Sequence, residues 1–75
     1  MEGAEQKIIA AARRIFQRKG MAGARMEEIA NEAGINKALL HYYFRSKEKL
    51  FQVVMTEAKM QMLGRLHPIL GSEAS

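Results

Sequence analysis

Ile29-Ala30-Asn31-Glu32-Ala33-Gly34-Ile35-Asn36-Lys37-Ala38-Leu39-Leu40-His41-Tyr42-Tyr43-Phe44-Arg45-Ser46-Lys47-Glu48-Lys49-Leu50 is the stretch that decides the fold. Together with Met26, its first residues place Ile29, Ala30 and Ala33 at i, i+3, i+4 and i+7, one stripe of a helix. Glu27 and Glu28 stand in that helix's first turn, where the peptide dipole favours acids, so a short helix over roughly 25–33 is expected. Gly34 follows where a helix end calls for a left-handed residue. Two residues later Asn36 is a good N-cap, its side-chain oxygen able to accept from the first amides of a third helix, Lys37 to Phe44. Leu40 and Phe44, at i and i+4, can face inward. Arg45-Ser46 breaks that helix, and Ser46 caps a fourth beginning Lys47-Glu48-Lys49.

Outward from this stretch the helical period persists. Upstream, Ile8, Ala12, Ile15 and Phe16 fall at i, i+4, i+7 and i+8. Gly20, followed by Gly23, ends that helix after the basic last-turn residues Arg18 and Lys19. Downstream, Leu50, Phe51, Val54, Ala58 and Met62 continue a stripe toward Gly64 and Pro68, and Gly71-Ser72-Glu73-Ala74-Ser75 reads as a loop. No segment alternates apolar and polar residues as a strand would. The expected fold class is all-α: a three-helix helix-turn-helix bundle plus the start of a long fourth helix.

Composition narrows the function classes. The chain has 75 residues, 48% hydrophobic and 27% charged, with one proline, which describes one folded domain with a thin core. There is no cysteine, so disulfides and thiolate metal sites are excluded. His41 and His67, without a carboxylate cluster, do not make a zinc site, and no metal or cofactor is expected. Met55, Met60 and Met62 read as gap-filling apolar contacts, not a cofactor box. No apolar run is long enough for a membrane span or the core of a signal peptide, so a cytoplasmic location is expected. Paired carboxylates, a nucleophile–base pair and a metal constellation are all missing, and no enzyme is expected.

Charge becomes informative once it is placed. The formal net charge is +4, and all of that excess lies in residues 1–50. Arg13, Arg14, Arg18, Lys19 and Arg25 come without an acid among them, while Lys37, Arg45, Lys47 and Lys49 face only Glu48. Clustered base of this kind suits a polyanion such as DNA or RNA, and equally a merely solvated basic surface. The joint between helices two and three weighs toward DNA. Lys37, Ala38, His41 and Tyr42 fall on one outer face of the third helix, mixing a base, a small residue and two polar aromatics. Such side chains read base edges and phosphates in a major groove. An αα-hairpin with no DNA role would show the same turn.

The quoted stretch resembles the signature of the tetracycline-repressor (TetR) family, I-A-x-x-A-G-V-S-x-G-x-L-Y-x-Y-F-x-S-K-x-x-L. With the Ile8–Phe16 helix and Gly20 the resemblance covers roughly residues 5–55, the family's whole DNA-binding domain. Three departures from the pattern matter. Asn36 replaces the usual Ser or Thr, an equivalent cap. Ala38 replaces Gly and is still small enough for close approach to DNA. His41 replaces Tyr, so a contact made by a long phenol becomes one made by a shorter imidazole.

The resemblance implies that the third helix enters the major groove while the first turns of helices two and four meet the backbone. On matching positions it puts Lys37, Ala38, Leu39 and His41 near bases, behind the Asn36 cap. Tyr42 and Lys47 would hold phosphates, with Arg25 and Tyr43 as helpers. Lys47 opens helix four, where free amides and the dipole already attract a phosphate. Leu39 reads either as a thymine-methyl contact or as a partly exposed hydrophobe, and Tyr43 either as core or as contact. Arg13 and Arg14 read as a solvated face with weak long-range attraction to DNA. His67 carries no signal.

The resemblance further implies a sequence-specific transcriptional regulator, a repressor, that binds double-stranded DNA at a palindromic operator as a homodimer. Residues 1–55 would form the DNA-binding domain. Residues 56–75 would extend helix four toward a dimerising domain that binds a small-molecule effector. Met55, Met60, Met62, Leu63, Leu66, Ile69 and Leu70 are more apolar groups than a three-helix core buries, and an exposed set of them marks an interface. A natural mini-regulator dimerising through this tail is the other account of them. The competing function is a small helical module whose basic face binds an acidic protein or a membrane surface.

Overall fold

Ile8, Ile29, Leu40 and Leu50 are the largest side chains closed off from solvent, and each comes from a different helix. In the computed structural model, which describes the backbone of residues 3–74 and the side chains of residues 3–64, four helices follow in order. They are α1 (Ala4–Gly23), α2 (Met26–Ala33), α3 (Lys37–Tyr43) and α4 (Lys47–Ala74). No strand occurs among the described residues. The expected all-α class is therefore observed.

The apolar stripes meet as their spacing requires. From α1, Ile8, Ile9, Ala11, Ala12, Ile15 and Phe16 are buried; Ile29 and Ala30 of α2, Leu40 of α3, and Leu50 and Val54 of α4 close over them. Burial of a side chain the size of Leu or Ile contributes about 1.5–3 kcal/mol, so these four anchors carry much of the stability of a thin core. The Phe16 and Phe51 rings meet edge to face, centroids 5.0 Å apart at 86°, and fix the crossing of α1 and α4. Helix α1 thus packs on both α2 and α4, while α3 packs on α2.

Two glycines set the turns. Gly34 adopts φ 74 and ψ 29, and the turn closes with Ile35 N–H donating to the Ala30 carbonyl at 3.0 Å and Gly34 N–H to Asn31 at 3.1 Å. Ala30 and Leu40 are buried and Ile35 packs against the same core, so the angle between α2 and α3 is wedged from inside. Gly20 takes φ 72 and ψ 171, breaking α1 where the sequence places its end. Helical structure resumes for Met21–Gly23, because one glycine turns the chain without removing a backbone donor.

The caps follow the sequence. Asn36 Oδ1 accepts from Leu39 N–H at 2.7 Å, and Ser46 Oγ accepts from Lys49 N–H at 3.1 Å. Phe44 is the C-cap of α3 and buries its ring. The expected loop at Gly71–Ala74 is corrected: α4 runs to Ala74, and Ser75 lies outside the described residues. Pro68 has no N–H for the Gly64 carbonyl, so one bond of the ladder is missing. A nucleated helix still gains a bond for each further residue fixed.

Candidate nucleic-acid interface

The outer face of α3 is built by elimination. Leu40 and the Phe44 ring turn inward, which leaves Lys37, Ala38, His41 and Tyr42 exposed on the opposite side. Tyr42 is 78% exposed, an unusual degree for an aromatic ring. Among the described residues no hydrogen bond or ion pair within the protein engages the side chains of Lys37, His41 or Tyr42. Leu39 and Tyr43 sit at the rim, 36% and 38% exposed. The Tyr42 and Tyr43 rings meet edge to face at 5.2 Å, so the half-covered ring steadies the open one.

Asn36 stands at the head of this face with its side-chain oxygen committed to capping α3, and its amide N–H2 stays available to a partner. Arg25 is exposed at the N-cap of α2. Its side chain has no acceptor and cannot cap. Glu28 supplies the other half of a capping box, taking the Arg25 N–H at 3.2 Å. Lys47 differs from the rest. It is partly buried, and its ammonium donates to the Ala24 carbonyl at 3.0 Å.

The fold redistributes the charge that the sequence clusters. Arg14 pairs with Glu32 at 2.8 Å, Arg18 with the same carboxylate at 3.5 Å, and Lys19 with Glu28. The hydrogen bond from Lys19 is the main cause that holds the Glu28 carboxyl below the ordinary glutamate range, with the charges of Lys19 and Arg25 and the Arg25 N–H adding to it. Much of the basic run of α1 is therefore neutralised by the acids of α2. Arg13 donates to Gln61 at 2.9 Å. Arg25, Lys37, Arg45 and Lys49 have no acid partner among the described residues.

Arg45, Ser46 and Lys49 line one shallow cleft with Tyr42 and Tyr43 at the joint of α3 and α4. Arg45 and Lys49 are functional candidates that motif reading passes over. Their signal is the density of base in Arg45-Ser46-Lys47-Glu48-Lys49, at the positive end of a helix dipole. On the far side, Phe16, Met21, Phe51, Val54 and Met55 line an apolar groove between α1 and α4. Met55, Met60, Met62 and Leu63 are exposed along α4, while the side chains of Leu66, His67, Ile69 and Leu70 lie outside the described residues. No helix among the described residues is long and apolar enough to cross a membrane.

The sequence has counterparts among known proteins. The profile of the bacterial regulatory proteins of the tetR family matches residues 8–54. The transcriptional repressor NicS of Pseudomonas putida is 44% identical over 48 residues, 64% of this chain and 23% of that protein. The transcriptional repressor SCO4008 of Streptomyces coelicolor is 41% identical over 68 residues, 91% of this chain and 35% of its own length. The transcriptional regulator RutR of Escherichia coli is 42% identical over 53 residues, 71% of this chain and 25% of RutR. The chain thus spans between about a quarter and a third of the length of these three relatives. With the profile over its three-helix core and a helix-turn-helix at residues 26–43, the chain belongs to the tetR family of bacterial transcriptional regulators.

Proposed function

We propose that this chain binds double-stranded DNA sequence-specifically, with α3 in the major groove, as the reading head of a cytoplasmic transcriptional repressor. The observation that carries the reading is the outer face of α3. Lys37, Ala38, His41 and Tyr42 are exposed together, and the three polar side chains are not engaged within the described protein. Lys37 would donate to a guanine O6/N7 edge and Leu39 would meet a thymine methyl. His41 would reach a neighbouring base. Ala38 keeps the helix close to the groove floor. Asn36, Arg25, Tyr42 and Tyr43 would contact sugar and phosphate and so fix the register. Lys47 stands at the same backbone edge.

Residues 1–55 form the DNA-binding unit in this reading, and 56–75 lead along α4 toward a dimerising, effector-binding domain. A homodimer implies a palindromic operator with half-sites about one helical turn apart. The repressor names of NicS and SCO4008 support repression over activation. Titration of the protein onto a duplex selected for binding and onto a scrambled duplex of equal length tests the reading. A preference of about a thousandfold or more is expected. Equal affinity for both, or binding to anionic vesicles instead, overturns it.

A further inference from the structure

His41 stands in the last turn of α3, exposed on its outer face, and its ring makes no hydrogen bond among the described residues. Lys37 lies one helical turn before it, and Arg45 follows just past the Phe44 cap, both exposed. Helix α2 packs on α3 and α4 follows it in the chain, so their acids are the groups that could hold a charged imidazole. None does. Glu28 is taken by Lys19 and by the Arg25 N–H, and Glu32 by Arg14 and Arg18. Glu27 of α2 and Glu48 of α4 form no ion pair with His41 among the described residues. The remaining ionisable neighbours in sequence are the cations Lys37, Arg45 and Lys47 and the phenols Tyr42 and Tyr43.

In the DNA-free protein the neighbouring cations oppose a charge on the His41 ring, and only the C-terminal end of the short α3 dipole favours one. A duplex reverses this balance. It brings one negative charge per about 1.7 Å of its axis, and its guanine edges present only acceptors, O6 and N7, in the major groove. Neutral imidazole carries one donor and one acceptor, whereas imidazolium carries two donors. We infer that His41 enters the groove as an imidazolium, so that each copy of α3 takes up one proton from solvent as it binds DNA and its affinity depends on pH near neutrality. The inference rests on the DNA-binding reading above and deepens it, because it assigns the ionic form in which one residue of that face meets DNA. A tyrosine at this position would not couple binding to pH in the same range, since phenols ionise near pH 10.

Affinity for a selected duplex is measured from pH 8 to pH 6 for the unaltered protein, for His41→Phe and for His41→Gln, which keeps a neutral donor and acceptor. A hydrogen bond to a charged group exceeds a neutral one by about tenfold in affinity. For an imidazole with the reference value of about 6.5, that preference gives about a sixfold gain per bound copy across this range. Neither variant side chain titrates, so both profiles lack the gain. Glu28, held below the ordinary glutamate range, stays ionised throughout, and the amino terminus and His67 are the same in all three proteins. Parallel profiles for the three proteins overturn the inference. The His41 ring resonance, followed against pH in the unaltered protein with and without duplex, reads the same linkage with no substitution. Its midpoint moves to higher pH in the complex; a midpoint that stays in place or moves lower also overturns the inference. Failure of the unaltered protein to bind any duplex at either pH overturns the DNA reading instead, whereas specific binding with parallel profiles overturns the proton linkage alone.

Discussion

Gly20 and Gly34 share one φ and differ in ψ, which makes them a matched pair for testing how this fold turns. Gly34 sits at φ 74, ψ 29, in the left-handed helical region, and Gly20 at φ 72, ψ 171, outside it. A Cβ added at either position meets nothing within 4 Å, so substitution is penalised by backbone conformation and not by collision. For Gly34→Ala the left-handed region costs about 1–2 kcal/mol, and the stiffer unfolded chain returns about 0.4–1 kcal/mol. A net loss of about 0.5–1 kcal/mol follows. For Gly20→Ala the backbone cost is about 1–3 kcal/mol against the same return, a net loss of about 1–2 kcal/mol. Asparagine separates the two sites. It tolerates the left-handed helical region, so Gly34→Asn is close to neutral, but it gains nothing at ψ 171, so Gly20→Asn costs as much as alanine. Urea unfolding of the four variants measures this, with about 4–8 °C of melting temperature per kcal/mol as the thermal counterpart for a chain of this size. Equal stability of Gly20→Asn and Gly34→Asn, or stabilisation by either alanine, refutes the reasoning.

Leu40→Ala empties the one fully buried position of α3 and should cost about 2–5 kcal/mol, enough to abolish cooperative unfolding in a domain this small. A loss below about 1 kcal/mol in urea unfolding would mean that α3 is not anchored by Leu40. The lowered carboxyl of Glu28 gives a pH prediction with a definite sign. A group depressed on folding stabilises the fold above its unfolded value, about pH 4.3, and that stability disappears as pH falls through the lower folded value. Melting temperatures of Glu28→Gln and the unaltered protein should therefore differ near neutrality and converge in acid, and a gap that stays constant across that range contradicts it.

The turn and its flanking caps were legible because their signals are local. Gly34, Asn36 and Ser46 act on residues within four positions of themselves, and each appears where its type predicts. The outer face of α3 was legible for the same reason, since four residues of one short helix define it. Pairing across the fold was not legible. Arg14 meets Glu32 across 18 residues and Lys47 meets Ala24 across 23, partnerships that exist only once α1 has packed on α2 and α4. A basic run in sequence thus became a largely neutral seam, and a residue expected only to hold phosphate acquired an internal partner. The continuation of α4 past Pro68 was missed because a helix stop read from residue type ignores the cooperativity of a helix already formed.

The most direct test of the account is selection of duplexes from a random pool by the unaltered protein, by Lys37→Ala and by His41→Phe. The unaltered protein should recover sites with a dyad, half-sites about 10 base pairs apart. Lys37→Ala should relax one position per half-site, expected to be a guanine, at about 1–3 kcal/mol. His41→Phe should change the preference at a neighbouring position while leaving the rest of the site intact. Identical pools from all three proteins would show that the outer face of α3 does not read bases, and would contradict the account at its centre.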